Sequence, residues 1–244
     1  MRAEWRRWLA ALFWLLLLLL AVYRFEWLEG FLKQVFGGKE IFRQRATLAD
    51  YMLQHLGLVL LSTSISTAIG LSLGLIVRFR MLSEFREPLL RAATFLQTVP
   101  SSAVLALSVP LMGYGQTPVA IALVFYGLLP ILRNTIQGLD AVPGEVLLSA
   151  DGMGMTPAQR LLRVQLPLAG PAILAGIRTS VIINISAATL GATVGAGGLG
   201  VLIVNGIRSM DVTMIIKGAL PVSLLALLAS SLFSILEQRR YRER

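Results

Sequence analysis

The chain has 244 residues, of which 56% are hydrophobic and 14% are charged, and its mean hydropathy is +0.74. Soluble domains carry about 25% charged residues, so this composition excludes a soluble globular protein and indicates an integral membrane protein. There is no cysteine and only one histidine, His55, which excludes disulfides and metal sites built from cysteine or several histidines of one chain. We attribute the net charge of +9 to basic residues that orient membrane helices, not to nucleic-acid binding.

The first apolar stretch covers residues 9–22 and follows three arginines. No small-residue cleavage site comes after it, and tryptophans flank both of its ends. These features favour a retained first span over a cleaved signal peptide. Residues 30–54 are polar and charged, which predicts a loop or an interfacial helix. We expect His55, at the end of this stretch, to lie at the membrane interface.

Five more apolar stretches predict further spans, at residues 56–78, 89–112, 118–137, 168–192 and 213–236. Small residues recur at every fourth position of the second span, which predicts close approach of another helix: Ser62, Ser66, Gly70 and Gly74. The third span is expected to break at Pro100 and at Pro110. Residues 195–211 are predicted to form a glycine-rich connection.

The basic residues predict the orientation of these six spans. Seven of the 22 fall on one side, namely Arg24, Lys33, Lys39, Arg43, Arg45, Arg208 and Lys217. Arg178 falls within a span, and the remaining 14 fall on the side of the amino terminus. Because lysine and arginine accumulate in cytoplasmic loops, we expect both termini in the cytoplasm. The basic residues of 30–54 fit this orientation least well.

Residues 148–167 form a polar segment between two long apolar stretches. Thr156 is a suitable N-cap and Gln159, three positions later, completes the pattern of a capping box. The helix that starts at Pro157 is predicted to stop before Pro167. A solvated loop would explain the polarity equally well, but two short helices on the water side of a membrane protein are also typical of a docking element.

A second short helix is predicted just upstream of this segment. Pro143 and Glu145 are suited to its first turn, and Gly152 and Gly154 are expected to end it. Its apolar residues fall near one face at helical spacing, which predicts their burial against a partner: Val142, Val146, Leu147, Ala150 and Met153.

The chain shows neither the groups of a proton-coupled carrier nor an ATP site. All 13 acidic residues lie outside the predicted spans, whereas proton-coupled carriers rely on acids or histidines at membrane depth. Sodium coupling through backbone oxygens remains open. The phosphate-binding pattern GxxxxGK[ST] is absent, so ATP-driven transport requires a separate ATPase subunit.

One pattern resembles a dinucleotide site by its letters alone. Gly195, Gly197 and Gly200 match GxGxxG, but that fingerprint acts between a strand and a helix of a soluble domain. Here it follows a membrane span, so we predict a close-packed or flexible turn.

The spacing of the polar segment resembles the cytoplasmic loop of binding-protein-dependent ABC importer permeases. Their motif is Glu-Ala-Ala, three residues, Gly, nine residues, Ile, any residue and Leu-Pro. The matching positions here are Leu148, Ser149, Ala150, Gly154, Val164, Leu166 and Pro167. Leucine at 148 replaces the usual glutamate, serine at 149 an alanine, and valine at 164 an isoleucine. Residues 97–115, 126–139 and 176–200 resemble the osmoprotectant branch, which takes up glycine betaine, choline, proline betaine and carnitine.

The resemblance implies an all-α, polytopic type I permease of about six transmembrane helices with a cytoplasmic coupling helix. It divides the chain into an N-terminal helix and polar loop (1–55), a permease core (56–238, coupling segment 140–167) and a basic tail (239–244). The implied partners are a second permease subunit, a substrate-binding protein, membrane lipid and two ATPase subunits, which hold ATP and Mg²⁺. The implied location is the cell inner membrane. The implied ATPase-docking residues are Val146, Leu147, Leu148, Ser149, Ala150, Gly154, Val164, Leu166 and Pro167.

Two sets of polar residues are candidates for the translocation pathway. Proline breaks helical hydrogen bonding and exposes a carbonyl, and polar side chains cluster around Pro100 and on the fifth span. The candidates are Gln97, Thr98, Pro100, Ser101, Ser102, Asn184, Ser186 and Thr189. The same side chains are equally suited to satisfying a kinked backbone.

Three other functions are weighed against the osmoprotectant permease. They are a permease of the same architecture for amino acids or another polar solute, a channel or carrier that works alone, and a membrane enzyme. Arg178 is expected to reach toward the cytoplasm, although a contact with a betaine carboxylate is the alternative.

Overall fold

The computed structural model describes residues 2–36, 46–78 and 80–242. Within these residues the regular structure is helical. The α-helices are α1 (Arg2–Tyr23), α2 (Phe25–Phe36), α3 (Leu48–Ile76), α4 (Arg86–Thr98), α5 (Ser101–Met112), α6 (Gln116–Asp140), α7 (Gly144–Gly152), α8 (Pro157–Arg160), α9 (Leu166–Ala187), α10 (Gly200–Ser209) and α11 (Val212–Arg242). Short 3₁₀-helices cover Arg80–Phe85 and Ala188–Val194, and a π-helix covers Leu161–Gln165.

Five helical stretches are long and apolar enough to span a membrane, and α4 with α5 forms a sixth stretch bent by 91°. Arg86, at the start of α4, donates to Asp140 at the end of α6, so these two ends lie together. Gly115, after α5, donates to the carbonyl oxygen of Val194 at 2.8 Å, at the opposite end of α6. The bent pair therefore connects the two ends of the helix bundle, and we count it as one broken span.

Helix α6 lies at the centre of the bundle and packs against α3 and α9. A Cβ atom added to Gly70 of α3 would lie 2.8 Å from Ile131 Cγ2, and one added to Gly74 would lie 2.7 Å from Thr135 Cγ2. Ser62 and Ser66 of the same helix face are fully buried. The predicted close approach along the small-residue face of α3 is thus confirmed, since larger side chains would hold the helices apart.

The N-terminal helices pack against the last span. Arg7 of α1 donates to the carbonyl oxygen of Ser234 at 3.0 Å, and Lys217 near the start of α11 lies 3.1 Å from Glu29 of α2. Helix α1 therefore runs antiparallel to α11, and its start lies beside the end of α11. Helix α11 continues to Arg242, so residues 239–242 of the expected tail prolong the helix. Residues 243–244 lie outside the described residues.

The second span begins earlier than the sequence indicated. Thr47 caps α3 through a capping box with Asp50, whose backbone N–H donates to the Thr47 hydroxyl. Polar residues 48–55 thus belong to the helix, and the expected domain boundary at 55 lies inside it. Upstream, α2 extends to Phe36, and residues 37–45 of the predicted loop lie outside the described residues.

His55, which the sequence placed at the membrane interface, is buried inside the chain. Its side chain is 1% exposed, and Nε2 is 3.0 Å from the carbonyl oxygen of Ile185. Gly198 packs against the imidazole, because a Cβ there would lie 3.2 Å from Nδ1. The histidine is buried because the glycine turn after α9 folds over α3.

Three predictions about helix ends were wrong. The helix does not stop before Pro167, since residues 157–194 form one continuous stretch. Pro110 lies inside the last turn of α5, and the break occurs only at Pro100. The connection 195–211 contains helix α10, Gly200–Ser209.

The glycine-rich turn follows a 3₁₀-helix and not the strand that a dinucleotide fingerprint requires. Gly195, Gly197 and Gly198 adopt positive φ values of 79°, 82° and 74°. A Cβ on Gly200 would lie 2.0 Å from the carbonyl oxygen of Thr189. The glycines are therefore required by backbone conformation and close packing, as the sequence predicted.

Candidate functional site

Helix α7, the hinge that follows it and the second helical arm form the candidate docking segment, residues 142–166. The helix starts after Pro143, carries Glu145 in its first turn and ends at Gly152, as predicted. Gly154 then adopts φ +74°, a left-handed conformation that favours glycine. The chain therefore turns sharply between two helices at this point.

The second arm of the segment starts with the predicted capping box. The backbone N–H of Thr156 donates to Gln159 Oε1 at 2.9 Å, and the backbone N–H of Gln159 donates to the Thr156 hydroxyl at 3.3 Å. A π-helical turn then shifts the hydrogen bonds, and Leu166 donates to the carbonyl oxygen of Leu161. This wider turn lets the helix pass Pro167, which has no N–H to donate. The second arm of the docking segment is therefore rigidly continuous with α9.

An ion pair closes the hinge between the two arms. Arg160 Nη1 donates to both carboxylate oxygens of Asp151, at 2.6 and 2.5 Å. Both side chains are partly exposed, so the pair contributes about 1 kcal/mol or less to stability. Its role is to fix the angle between α7 and α8.

The docking segment presents apolar side chains to solvent. Leu148 is 72% exposed, Met153 69% and Leu162 63%. A single exposed apolar residue is normal on a protein surface, but a cluster of them marks an interaction site. The five apolar residues predicted to be buried against a partner are not all available to one, because Val142 and Ala150 are already buried within this chain. Met153 therefore lies on the open surface at the end of α7, and Ala150 lies on the covered side of the helix.

The remaining predicted docking residues are divided between surface and packing. Ser149 and Gly154 are exposed, and Leu147, Val164 and Leu166 are half-buried. Val146 is 38% exposed, and Pro167 is also exposed. The structure thus brings all the predicted docking residues into one short region on two helical arms.

Asp140 connects the docking segment to the spans, and the sequence reasoning missed this residue. It accepts hydrogen bonds from Arg78, at 3.0 Å, and from Arg86. These arginines follow α3 and start α4, so one carboxylate joins three helix ends immediately before α7. The sequence feature that could have indicated this role is an acidic residue at the end of a predicted span, followed three positions later by Pro143.

The broken span is held by polar contacts to α6. Gln97 donates to the carbonyl oxygen of Tyr126 at 2.7 Å, and the Tyr126 hydroxyl donates to the carbonyl oxygen of Val99. The second contact satisfies a carbonyl beside Pro100 that the helix leaves free. Tyr126 thus stabilises the broken span. The sequence did not predict this role, since Val99, which accepts its hydrogen bond, is 27 residues away.

The other predicted pathway residues lie on neighbouring elements. Thr98, Pro100 and Ser102 are exposed, Ser101 is half-buried, and α5 packs against the 3₁₀-helix 188–194. Ser186 is exposed, and Thr189 donates to its carbonyl oxygen at 2.7 Å. These six residues are therefore on or near the surface of the chain.

Asn184 differs from the other pathway candidates. It is fully buried, and its Nδ2 donates to Thr63 Oγ1 at 3.0 Å. A Cβ on Gly127 would lie 2.5 Å from Ser180 Oγ and 3.0 Å from Asn184 Nδ2. Asn184 thus belongs to a polar contact among α3, α6 and α9 in the interior of this chain.

Arg178 contacts protein groups at the docking end of the bundle. Its Nη2 donates to Ser230 Oγ at 2.6 Å, and its Nη1 lies 3.4 Å from Glu237. Glu237 is in the last part of α11, the end beside the start of α1. This arrangement supports the expected reach of Arg178 toward that end of the membrane.

The sequence is similar to those of known membrane transport proteins. Residues 66–242 match the family described as "Binding-protein-dependent transport system inner membrane component". The osmoprotectant import permease protein OsmW of Salmonella typhimurium is 45% identical over 186 residues, which are 74% of this chain and 85% of that protein. The choline transport system permease protein OpuBB of Bacillus subtilis is 38% identical over 76% of this chain and 85% of that protein.

Solved structures show the same fold. The chain matches an inward-facing structure of the MetNI methionine ABC transporter with a TM-score of 0.68 and 19% identity, over 77% of this chain and 93% of that chain. It also matches an amino acid ABC transporter with a TM-score of 0.64 and 20% identity, over 78% and 92%. The family match and the relatives agree with the helical architecture, and the chain belongs to the binding-protein-dependent transport system inner membrane components.

Proposed function

We propose that this chain is the membrane-spanning subunit of an ABC importer for quaternary-ammonium osmoprotectants such as glycine betaine and choline. The observation that carries the proposal is the 45% and 38% identity to permeases named for osmoprotectant and choline transport, each over 85% of the relative. The solved amino-acid and methionine transporters are only 19–20% identical, so they support the fold and not their solutes.

The docking segment is the proposed contact with an ATP-binding subunit, of which the importer would hold two. Leu148, Met153 and Leu162 expose apolar surface on a hinged pair of helices, which suits burial in a cleft of a partner. The glutamate usual at position 148 in the family would meet a polar partner group. Leu148 therefore implies that the ATPase residue facing it is apolar. A charged ATPase residue buried against this leucine would have no partner, and burying an unpaired charge is costly.

The exposed residues of the broken span and of the end of α9 are the proposed lining of the pathway. Thr98, Ser102 and Ser186 are exposed on this single chain, so a second permease subunit facing them would enclose a polar passage. A substrate-binding protein would deliver the solute at the end of the bundle opposite the docking segment. Switching between two packings of the paired subunits would open the passage to each side in turn.

Solute-stimulated ATP hydrolysis tests this proposal. The permease would be purified with its co-expressed ATPase and binding protein in lipid, and hydrolysis measured with choline, glycine betaine, histidine and methionine. We expect stimulation by choline or glycine betaine and none by the two amino acids. Stimulation by an amino acid alone would favour the alternative solute class, and purification without any ATPase would contradict the importer assignment.

A further inference from the structure

A cavity of about 200 Å³ lies at the end of the bundle away from the docking segment. The end of α1, the start of α2 and the first turns of α11 surround it. Its lining is apolar apart from one charged side chain, Arg24, and includes Leu17, Leu20, Trp27, Leu220 and Leu224. It is separate from the docking segment and from the predicted pathway residues.

The surroundings of this cavity are typical of a membrane interface. Tyr23 is 69% and Trp27 is 80% exposed, and aromatic side chains of these types collect where acyl chains meet headgroups. Helix α2 also exposes Phe31 and Val35, as expected for a helix that lies along the membrane surface. The apolar part of the cavity therefore faces acyl chains, and Arg24 is at headgroup depth.

Arg24 has no acidic partner among the residues that the structure describes. The neighbouring carboxylate of Glu29 is already held by Lys33 at 2.9 Å and by Lys217 at 3.1 Å. Burial raises the pKa of Glu29, but the hydrogen bonds and charges of these lysines outweigh burial and leave its pKa below the ordinary value. Glu29 is thus ionised and paired, and the guanidinium of Arg24 is free to bind an external anion.

We propose that this cavity binds a phospholipid, with part of one acyl chain among the leucines and the phosphate on Arg24. The volume of about 200 Å³ is below the roughly 300–1,000 Å³ of pockets for drug-sized ligands, so a narrow chain fits it better than a compact solute. Arginine binds phosphate through paired N–H donors. The bound lipid would fasten α1 and α2, which precede the region 66–242 that matches the family, to α11.

Photo-labelling of the full chain in cell membranes tests this site. The probe is phosphatidylglycerol with a photoreactive group in one acyl chain, and a diacylglycerol with the same chain serves as the phosphate-free probe. Labelling of residues 17–28 is measured by mass spectrometry. Arg24→Gln removes the phosphate contact and is matched by Arg208→Gln at another exposed arginine. Leu20→Trp fills the cavity and is matched by Leu16→Trp, one turn earlier on α1.

We expect Arg24→Gln to reduce labelling by phosphatidylglycerol about tenfold, as loss of a charge-assisted hydrogen bond implies. Leu20→Trp should reduce it similarly, and both matched controls should leave it unchanged. The diacylglycerol should label wild-type and Arg24→Gln chains equally and weakly. Equal labelling of wild-type and Arg24→Gln chains by phosphatidylglycerol would overturn the proposal. Cross-linking of this region to a second copy of the chain would also overturn it, without bearing on the transported solute.

Discussion

Gly127 shows how tightly the central helices are packed around polar side chains. A Cβ atom at this position would lie 2.5 Å from Ser180 Oγ, 2.8 Å from Ser66 Oγ and 3.0 Å from Asn184 Nδ2. The three groups come from α3 and α9, and all are fully buried. Hydrogen bonds among such helices replace the water that the bilayer lacks, and the missing side chain of glycine lets them approach.

Gly127→Ala is expected to destabilise the protein by about 1–3 kcal/mol, because the added methyl group overpacks the three-helix contact. Thermal unfolding of the purified protein in detergent measures this. Gly57→Ala is the matched control, since a Cβ there meets no atom within 4 Å. Alanine at this helical position should stabilise by about 0.5–1 kcal/mol. Equal melting temperatures for the two variants would contradict the packing.

Arg178 provides a second prediction at the residue scale. Because it contacts Ser230 and Glu237, Arg178→Gln is expected to weaken the uptake of choline and of glycine betaine to the same degree. Both this effect and that of Glu237→Gln should be small, because a partly exposed ion pair contributes about 1 kcal/mol or less to stability. Uptake of both solutes by cells expressing each variant checks this. A selective loss of betaine uptake in Arg178→Gln would instead assign Arg178 to the betaine carboxylate.

Individual residues were predictable from the sequence where their role depends on local spacing. The small-residue face of α3 was found because four small side chains recur with the period of a helix. The contact of Asn184 with Thr63 was not, because their partnership depends on which helices are neighbours across 121 positions. The same reason explains why Asp140 and Tyr126 were missed.

At the scale of elements, the docking segment combines a turn at Gly154 with a rigid arm that follows it. Gly154 requires a left-handed conformation, whereas the Thr156 capping box and the π-turn fix the start of the arm that continues into α9. In the proposed mechanism, a force applied to α7 would be passed to α9 through a defined angle. The hydrogen bonds of Asp140 with Arg78 and Arg86 would pass the same force to the ends of α3 and α4.

Gly154→Ala tests the hinge. Alanine in the left-handed region costs roughly 1–2 kcal/mol, which would lower the population of the docking geometry about tenfold. We expect uptake to fall accordingly while the amount of protein in the membrane is unchanged. Gly152→Ala is the control, because Gly152 lies in α7 and a Cβ there meets no atom within 4 Å. Normal uptake by Gly154→Ala would contradict a mechanical role of the hinge.

The elements themselves were predictable where caps or long apolar runs define them. The capping box at Thr156 and the break at Pro100 follow from residue types at fixed offsets. The passage of the helix beyond Pro167 was not predictable, since a π-turn absorbs the proline and leaves no distinct sequence pattern. Helix α10 was hidden because its neighbouring glycines indicate a turn.

At the scale of the whole molecule, the acidic residues of the described spans lie at the ends of those spans. Asp50, Asp140 and Glu237 lie in the first turn of α3, at the end of α6 and near the end of α11. This distribution leaves the docking segment as the route by which energy would enter. Composition predicted the membrane location, and the positions of the apolar stretches predicted the number of spans. Helices α1 and α2 precede the residues 66–242 that match the family, so the family pattern did not predict their packing on α11.

The most direct test of the account is the accessibility of a single thiol at the docking helix. The chain has no cysteine, so Leu148→Cys introduces a unique label at a position that is 72% exposed. A membrane-impermeant maleimide is applied to intact cells and to inside-out vesicles, with and without co-expressed ATPase subunits. The account predicts labelling only in inside-out vesicles and protection when the ATPase is present. Labelling from outside the cell, or labelling that the ATPase leaves unchanged, would contradict it.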